Sequence, residues 1–202
     1  TMNGGTISGN SGSYYGGGVE VVGGGTTFDM SGGSISGNTA SGYGGGVRVS
    51  NGDNITFDMS GGSISGNTAT GNSAQGGGVY VSASGYTFTM SGGSISGNTA
   101  TGNSAQGGGV YVSGTNSLSS FSMSNSAMIH TSNAVSLNSG AIITLSGTLT
   151  ADPVANIEYP TATGSQVLGG NDIITGGNYK KFLLDYKSNE NGDMIDMNGT
   201  IK

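Results

Sequence analysis

The sequence predicts an all-β protein folded as a parallel β-helix, a solenoid with three strands in each coil and a β-rich C-terminal cap. Three observations predict it: a repeat of about thirty residues, short segments in which apolar and polar residues alternate, and glycine-rich corners. With 43 Gly in 202 residues, helices are disfavoured because Gly, Ser, Thr and Asn interrupt any helical apolar stripe. One repeat cannot bury its apolar side chains alone, whereas repeats stacked in register can.

The repeat is clearest in an eleven-residue motif that begins at Phe28 and recurs at Phe57 and Phe88. A partial copy opens the chain at Met2, and a divergent copy begins at Phe121. The methionines of the motif, at positions 2, 30, 59, 90 and 123, are 28, 29, 31 and 33 residues apart. This spacing predicts internal columns of like side chains, with neighbouring members about 4.8 Å apart.

Each repeat contains three segments with period-two alternation, which is typical of half-buried strands. In the second copy they are 28–30, 34–36 and 47–49, with Asp29 and Arg48 directed outward. The inward positions predict columns of Phe, Met, Ile and Val. The expected Phe, Met and Ile members are Phe28, Phe57, Phe88 and Phe121; Met30, Met59, Met90 and Met123; and Ile7, Ile35, Ile64 and Ile95, continued by Met128.

One corner of the repeat carries an asparagine after Ser-Gly. Asparagine tolerates the left-handed backbone region, and its amide has donors and an acceptor that can bond along the stack. We therefore predict an internal asparagine ladder rather than a binding site. Its expected members are Asn10, Asn38, Asn67 and Asn98.

The pattern divides the chain into β-helix repeats over residues 1–150, regular to about 114 and degenerate after, and a capping region over residues 151–202. Terminal coils must differ from internal ones because they hide strand edges and core. The N-terminal coil shows no such cap, since Thr1 and Met2 lie inside a strand of the repeat. We expect upstream coils or another molecule to cover this end, with Thr1, Met2 and Ile7 at a subunit interface.

Composition excludes several classes of function. Lys and Arg total 5 against 11 Asp and Glu, and the net charge of −6 argues against nucleic-acid binding. No segment approaches the roughly 18 apolar residues of a transmembrane helix. The chain has no Cys, which excludes disulfides and zinc-ribbon sites. We assign no cofactor, no metal site and no catalytic residue.

The motif Phe-x-Met-Ser-Gly-Gly-x-Ile-Ser-Gly-Asn, followed by Gly-Gly-Gly-Val-x-Val, resembles the repeats of bacterial surface proteins of the pectin-lyase-like superfold. It is similar to polymorphic outer-membrane-protein and adhesin-like repeats. The C-terminal runs 164–168, 179–182 and 196–199 also resemble segments that close such arrays. The resemblance implies a right-handed, single-stranded β-helix and a bacterial extracellular or cell-surface location. It implies little about activity, because this superfold hosts lyases, adhesins and fibres alike.

Three functions are compatible with these features. The first is a non-catalytic structural protein, a surface stalk or fibre protomer that assembles head to tail through its N-terminal coil. The second is an adhesin-like module that binds glycans or a host surface through the outward Tyr80 and Tyr111, extended by the corner residues Tyr14, Tyr15 and Tyr43.

The third is a polysaccharide lyase or hydrolase that uses Asp29 and Asp58, which share one outward column. The more economical interpretation of these two acids is that repeat duplication placed them on a solvated surface. His130, the single histidine, has no Asp or Ser partner suggested by spacing, so we expect it in a turn or on the surface.

Overall fold

The structure, a computed structural model, describes residues 1–82, 85–113, 120–138, 140–158, 166–173, 175–184, 195–196 and 198–201. It is all-β apart from short 3₁₀ turns over Thr175–Lys181. The described strands, in chain order, are β1 (Met2–Ser8), β2 (Ser11–Gly12), β3 (Val19–Val21), β4 (Thr27–Ser36), β5 (Thr39–Ala40), β6 (Val47–Ser50), β7 (Thr56–Met59), β8 (Ser63–Ser65), β9 (Thr68–Ala69), β10 (Val79–Ser82), β11 (Thr87–Met90), β12 (Ser94–Ser96), β13 (Thr99–Ala100), β14 (Val110–Ser113), β15 (Ser120–Asn125), β16 (Met128–Ile129), β17 (Ala134–Asn138), β18 (Ile143–Leu149), β19 (Ala155–Glu158), β20 (Leu168–Gly169) and β21 (Phe182–Leu184).

These strands form three parallel sheets that stack as a solenoid of about six turns, which confirms the predicted β-helix. The largest sheet has ten strands and contains both the Phe-x-Met and the Ser-Ile-Ser segments, because β4 is long enough to pair with both β7 and β8. The Val-x-Val segments form a seven-stranded sheet from β3 to β21. A four-stranded sheet of Thr-Ala and Ser-Gly pairs lies where the sequence predicts only corner loops.

Identical residues pair across neighbouring coils, as the repeat spacing predicts. Phe28 pairs with Phe57, and Phe57 with Phe88, and the stacked ring centroids lie 5.2 and 4.8 Å apart. Phe88 continues the stack to Phe121 at 4.8 Å. The Met, Ile and Val columns run parallel to it and join one continuous hydrophobic core. A narrow core suffices because every coil buries its neighbours' side chains as well as its own.

The Ile column is the place where the sequence-based expectation is wrong. Ile95 pairs with Ile129, whereas Met128 pairs with Ser94 and is only half-buried. The corner between Met123 and Ile129 is one residue longer than the corner between Met90 and Ile95. A turn in which the Ala127 amide donates to the Ser124 carbonyl, with Asn125 at φ 53°, accommodates the extra residue.

The coil stacking continues into the segment predicted as the cap. Strands β19 and β21 extend the seven-stranded sheet, and β20 extends the ten-stranded one. Thr200 then pairs antiparallel with Gln166, so that the end of the chain lies against the last strand of the ten-stranded sheet. The sequence runs 185–194 and 159–165, which belong to this predicted cap, lie outside the described residues.

No helix in the described ranges is long and apolar enough to cross a bilayer.

Candidate functional site

The outward side chains of the Val-x-Val strands form one column along the rod. Glu20 pairs with Arg48, Arg48 with Tyr80, and Tyr80 with Tyr111. The two tyrosine rings are nearly parallel, with centroids 5.4 Å apart. We call this set, Glu20, Arg48, Tyr80 and Tyr111, the outer column.

The two tyrosines of the outer column are largely covered by neighbouring side chains. Tyr43 stacks on Tyr80 with centroids 4.8 Å apart, and the Asn138 amide donates to the Tyr111 hydroxyl at 2.8 Å. As a result Tyr80 is 9% exposed and Tyr111 4% exposed. The hypothesis that this pair binds glycans stays a prediction, and the two rings expose little surface that a sugar could contact.

The exposed aromatic surface lies instead at the corner of the first coil. Tyr14 and Tyr15 are 47% and 44% exposed, and their rings meet edge to face with centroids 4.8 Å apart. Tyr43 supports both rings from the second coil, with centroids 5.4 Å from Tyr14 and 6.0 Å from Tyr15. We call Tyr14 and Tyr15 the tyrosine platform.

Arg48 joins the outer column to the tyrosine platform. Its guanidinium forms an ion pair with the Glu20 carboxylate, and its Cζ atom lies 4.0 Å from the centroid of the Tyr15 ring. Its side chain is 5% exposed, and its Nε–H is a buried donor with no hydrogen-bond partner among the described residues. A charge buried this deeply depends on the Glu20 carboxylate and the Tyr15 ring for compensation.

Two tyrosines near this site hold their protons more tightly than a free phenol. A hydrogen bond between the Tyr43 and Tyr14 side chains, together with burial, raises the pKa of Tyr43 to about 12. Burial also raises the pKa of Tyr80, with smaller opposing effects from Ser82 and the Arg48 charge. Both hydroxyls therefore stay neutral well above physiological pH.

The predicted ladder residues are joined by hydrogen bonds along the rod. The Nδ2 atom of each donates to the Oδ1 atom of the next, at 2.9 Å from Asn10, 3.0 Å from Asn38 and 2.9 Å from Asn67. The sequence-based ladder omits its last member: Asn98 donates to Asn133 at 3.0 Å. The side-chain amides of Asn38, Asn67 and Asn98 also donate to the carbonyls of isoleucines in the preceding coil, so that buried polar groups are satisfied where the chain turns.

The predicted interface residues of the first coil lie at the beginning of the ten-stranded sheet. Met2 pairs with Met30 and is 9% exposed, and Ile7 pairs with Ile35 and is half-buried. Thr1 is exposed, and its hydroxyl donates to the Asp29 carboxylate at 3.1 Å.

The acidic residues of the third hypothesis lie side by side, since Asp29 pairs with Asp58 on neighbouring strands. Thr89, Ser122 and Thr144 occupy the same column further along. His130 is exposed, with Nδ1 2.9 Å from the Ser132 hydroxyl. Within the described residues no three acidic or His side chains cluster as metal ligands would.

Two polar residues of the C-terminal third have structural roles that the sequence did not indicate. The Glu158 carboxylate accepts a hydrogen bond from the Gly107 amide at 2.8 Å, across 51 residues. Asn178 is fully buried and donates to the carbonyls of Gly147 and Asp172, while it accepts from the Leu149 amide. The sequence does not mark these positions, since neither Glu158 nor Asn178 belongs to a motif that recurs in other coils.

Comparisons of the chain with protein-family models, with curated proteins and with solved structures give no match. The class of the protein is therefore the one that its own strands define, a parallel β-solenoid.

Proposed function

We propose that the protein is a non-catalytic structural protein, a surface stalk or fibre protomer, whose copies associate head to tail through the first coil. One observation supports this most strongly: the apolar columns are incompletely covered in the first two coils. Ile7 of the first coil and Phe28 of the second are half-buried, whereas their partners Ile35 and Phe57 are completely buried one coil further along. A further coil stacked on this end would bury the same columns again.

The seven-stranded sheet suggests how a second copy would dock. Strand β3 lies at one end of this sheet and β21 at the other, and both run parallel to their neighbours. The column of Val19 ends at Leu184 among the described residues, so both ends offer aliphatic side chains. Placing β3 of one copy beside β21 of the next extends the sheet, and such head-to-tail contacts build filaments rather than closed rings.

The extracellular, bacterial-surface location in this proposal rests on the resemblance of the repeat to bacterial surface β-helix proteins. A rod of stacked coils is suited to that setting because it separates its two ends with few residues. The fold itself does not specify a location or an activity.

Electron microscopy and sedimentation at rising protein concentration test the assembly. We expect rods that lengthen with concentration in the native protein. Ile7→Lys and Val22→Lys place a charge on the half-buried and exposed apolar surface of the first coil and should keep the protein monomeric. Ser63→Lys adds the same charge to an outward position of the third coil and should leave assembly intact.

Thermal unfolding of each variant shows that the coils remain folded. A native chain that stays monomeric at its highest soluble concentration overturns the proposal. So does a chain that forms only two-fold dimers, because these close and cannot grow.

A further inference from the structure

We propose that the tyrosine platform, Tyr14 and Tyr15, is a binding site for a neutral saccharide. The sequence-based hypothesis was centred on Tyr80 and Tyr111, with Tyr14, Tyr15 and Tyr43 as an extension. The two central rings are covered, whereas those of Tyr14 and Tyr15 are nearly half exposed. The platform lies in the first coil, through which we propose that copies associate, so the experiment below includes a monomeric variant to separate the two proposals.

The platform combines adjacent aromatic surfaces at right angles. Four large apolar side chains of the described residues are strongly exposed, and two of them are these neighbouring tyrosines. Their interplanar angle is 90°, so one ring presents a face where the other presents an edge. The electron-rich face of an aromatic ring attracts partially positive hydrogens. The C–H face of a sugar ring offers such hydrogens over the area of one phenol ring.

The platform is held in place before any ligand arrives. Tyr15 contacts two side chains of the second coil: the Arg48 guanidinium, with Cζ 4.0 Å from its centroid, and the Tyr43 ring, with centroids 6.0 Å apart. The Tyr14 carbonyl accepts hydrogen bonds from the Gly42 and Tyr43 amides, and its ring packs edge to face against Tyr43 and against Gly42, where a Cβ atom would lie 2.9 Å from the Tyr14 ring. Rings fixed in this way lose little conformational freedom on binding, which favours affinity for a small ligand.

A polar group suited to sugar hydroxyls lies beside the rings. The Glu20 side chain is 40% exposed and lies beside the platform, because Gly16, next to Tyr15, packs against the Glu20 Cβ position. Its carboxylate can accept hydrogen bonds from hydroxyls while it pairs with Arg48. The Arg48 side chain is only 5% exposed, so its charge stays beneath the rings and leaves the Glu20 carboxylate as the polar group open to a ligand.

The charges at the site favour a neutral ligand over an ion. The Arg48 charge is already paired with Glu20, and the chain has a net charge of −6, which opposes anions. The Tyr15 ring, which would attract a cation, already has the Arg48 guanidinium 4.0 Å from its centroid. An uncharged ring with hydroxyls at its edge meets neither penalty.

Tyrosine fluorescence provides a direct readout because the chain contains 9 Tyr and no Trp. The native protein is titrated with cellohexaose and maltohexaose, and in parallel with tetragalacturonate and choline. We expect a saturable change with at least one neutral oligosaccharide. Tyr14→Ala and Tyr15→Ala should each weaken binding by about tenfold or more, equivalent to about 1.4 kcal/mol. Tyr15→Phe should retain most of it, since the ring remains.

Tyr111→Phe is the matched control, because it removes a buried tyrosine hydroxyl of the outer column three coils away from the platform. Saturation-transfer NMR on the native protein adds a readout that needs no substitution: the C–H protons of the bound sugar should receive magnetisation. Equal affinity of Tyr15→Ala and native protein, no saturation transfer, or tighter binding of tetragalacturonate or choline each overturns the proposal. Binding by the monomeric Ile7→Lys variant would separate this site from filament assembly.

Discussion

Asn67 donates from its Nδ2 atom to the Oδ1 atom of Asn98 at 2.9 Å, although 31 residues separate the two in the chain. The same Nδ2 atom donates to the Ile35 carbonyl of the coil on the other side. One buried amide therefore ties three coils together. The asparagine side chains add to the main-chain hydrogen bonds between coils at this corner and satisfy further buried main-chain groups.

Removing an internal asparagine of the ladder should lower the free energy of unfolding more than removing its first member. Asn67→Ala deletes the acceptor for the Asn38 amide and side chain and the donor for the Ile35 carbonyl, all of them buried. We expect a loss of about 3 kcal/mol in the free energy of unfolding, measured by chemical denaturation. Asn10→Ala removes donors at the exposed end of the ladder and should cost less than about 1 kcal/mol. Equal losses of unfolding free energy for the two variants would contradict the idea that an internal asparagine stabilises the coils on both sides of it.

The sequence predicted the columns well because identical letters recur at nearly constant spacing and each position is buried by its own copies. The prediction failed at Met128, where the corner gained one residue and the register moved to Ile129. Period-two alternation gives the direction of a side chain relative to the sheet and not what covers it. Tyr80 therefore points outward and is nevertheless buried under Tyr43, which comes from a corner of variable length.

Residues that occur once could not be found by repeat analysis. The hydrogen bond from the Gly107 amide to the Glu158 carboxylate joins residues that are 51 apart in the chain, and Gly107 lies where one of the longer corner loops ends. Neither residue differs by type or spacing from its surroundings in a way that predicts the contact. The ladder member Asn133 was missed for the related reason that its coil no longer carries the Ser-Gly-Asn motif.

The glycine corners should tolerate a methyl group only where the neighbouring coil leaves room. A Cβ atom on Gly46 would lie 2.6 Å from the Gly78 carbonyl oxygen and 2.9 Å from the Asn67 amide. Gly46→Ala should therefore destabilise the protein by about 2 kcal/mol or more, seen as a lower thermal midpoint. At Gly4 the same methyl group meets nothing within 4 Å, so Gly4→Ala should change stability by less than about 1 kcal/mol. A tolerated Gly46→Ala would mean that the coils are less closely stacked than described.

Substitutions in the phenylalanine stack should lower the free energy of unfolding more for its central members than for Phe28, its first member. Phe88 is completely buried between two rings, and Phe88→Ala should lower the free energy of unfolding by about 3–5 kcal/mol. Phe28 is half-buried with one ring neighbour, so Phe28→Ala should cost clearly less. Denaturant titration of both variants compares them directly. Conditions that favour filaments should raise the cost of Phe28→Ala, since association would bury that ring.

The pairing of Glu20 with Arg48 should matter mainly because Arg48 is buried. Glu20→Gln removes the counter-charge of a guanidinium that is 5% exposed, and a loss of about 1 kcal/mol is expected given the partial exposure of Glu20. In an Arg48→Met background the Glu20→Gln change should have almost no effect. A double-mutant cycle measured by denaturation therefore gives the coupling. Additive losses would show that the two charges do not interact.

High pH should lower the stability of the folded protein over a defined pH range, which the raised pKa of Tyr43 sets. The pKa of Tyr43 is raised from 10 to about 12 in the folded protein, chiefly by the hydrogen bond with Tyr14. Between these values the unfolded chain has lost the proton that the folded protein retains, so stability falls as pH rises from about 10 to about 12. Below pH 10 the contribution is fully present, because Tyr43 is protonated in both states.

Tyr14→Phe removes the hydrogen bond and should move the Tyr43 pKa back toward 10, which flattens the decline of stability in that window. Tyrosinate absorbance followed against pH measures the titration, and thermal midpoints at the same pH values measure stability. Tyr179→Phe removes a phenol that does not contact Tyr14 or Tyr43, so this control variant should leave the slope of stability against pH unchanged. A native-like slope in Tyr14→Phe would show that burial, and not the hydrogen bond, holds the Tyr43 proton.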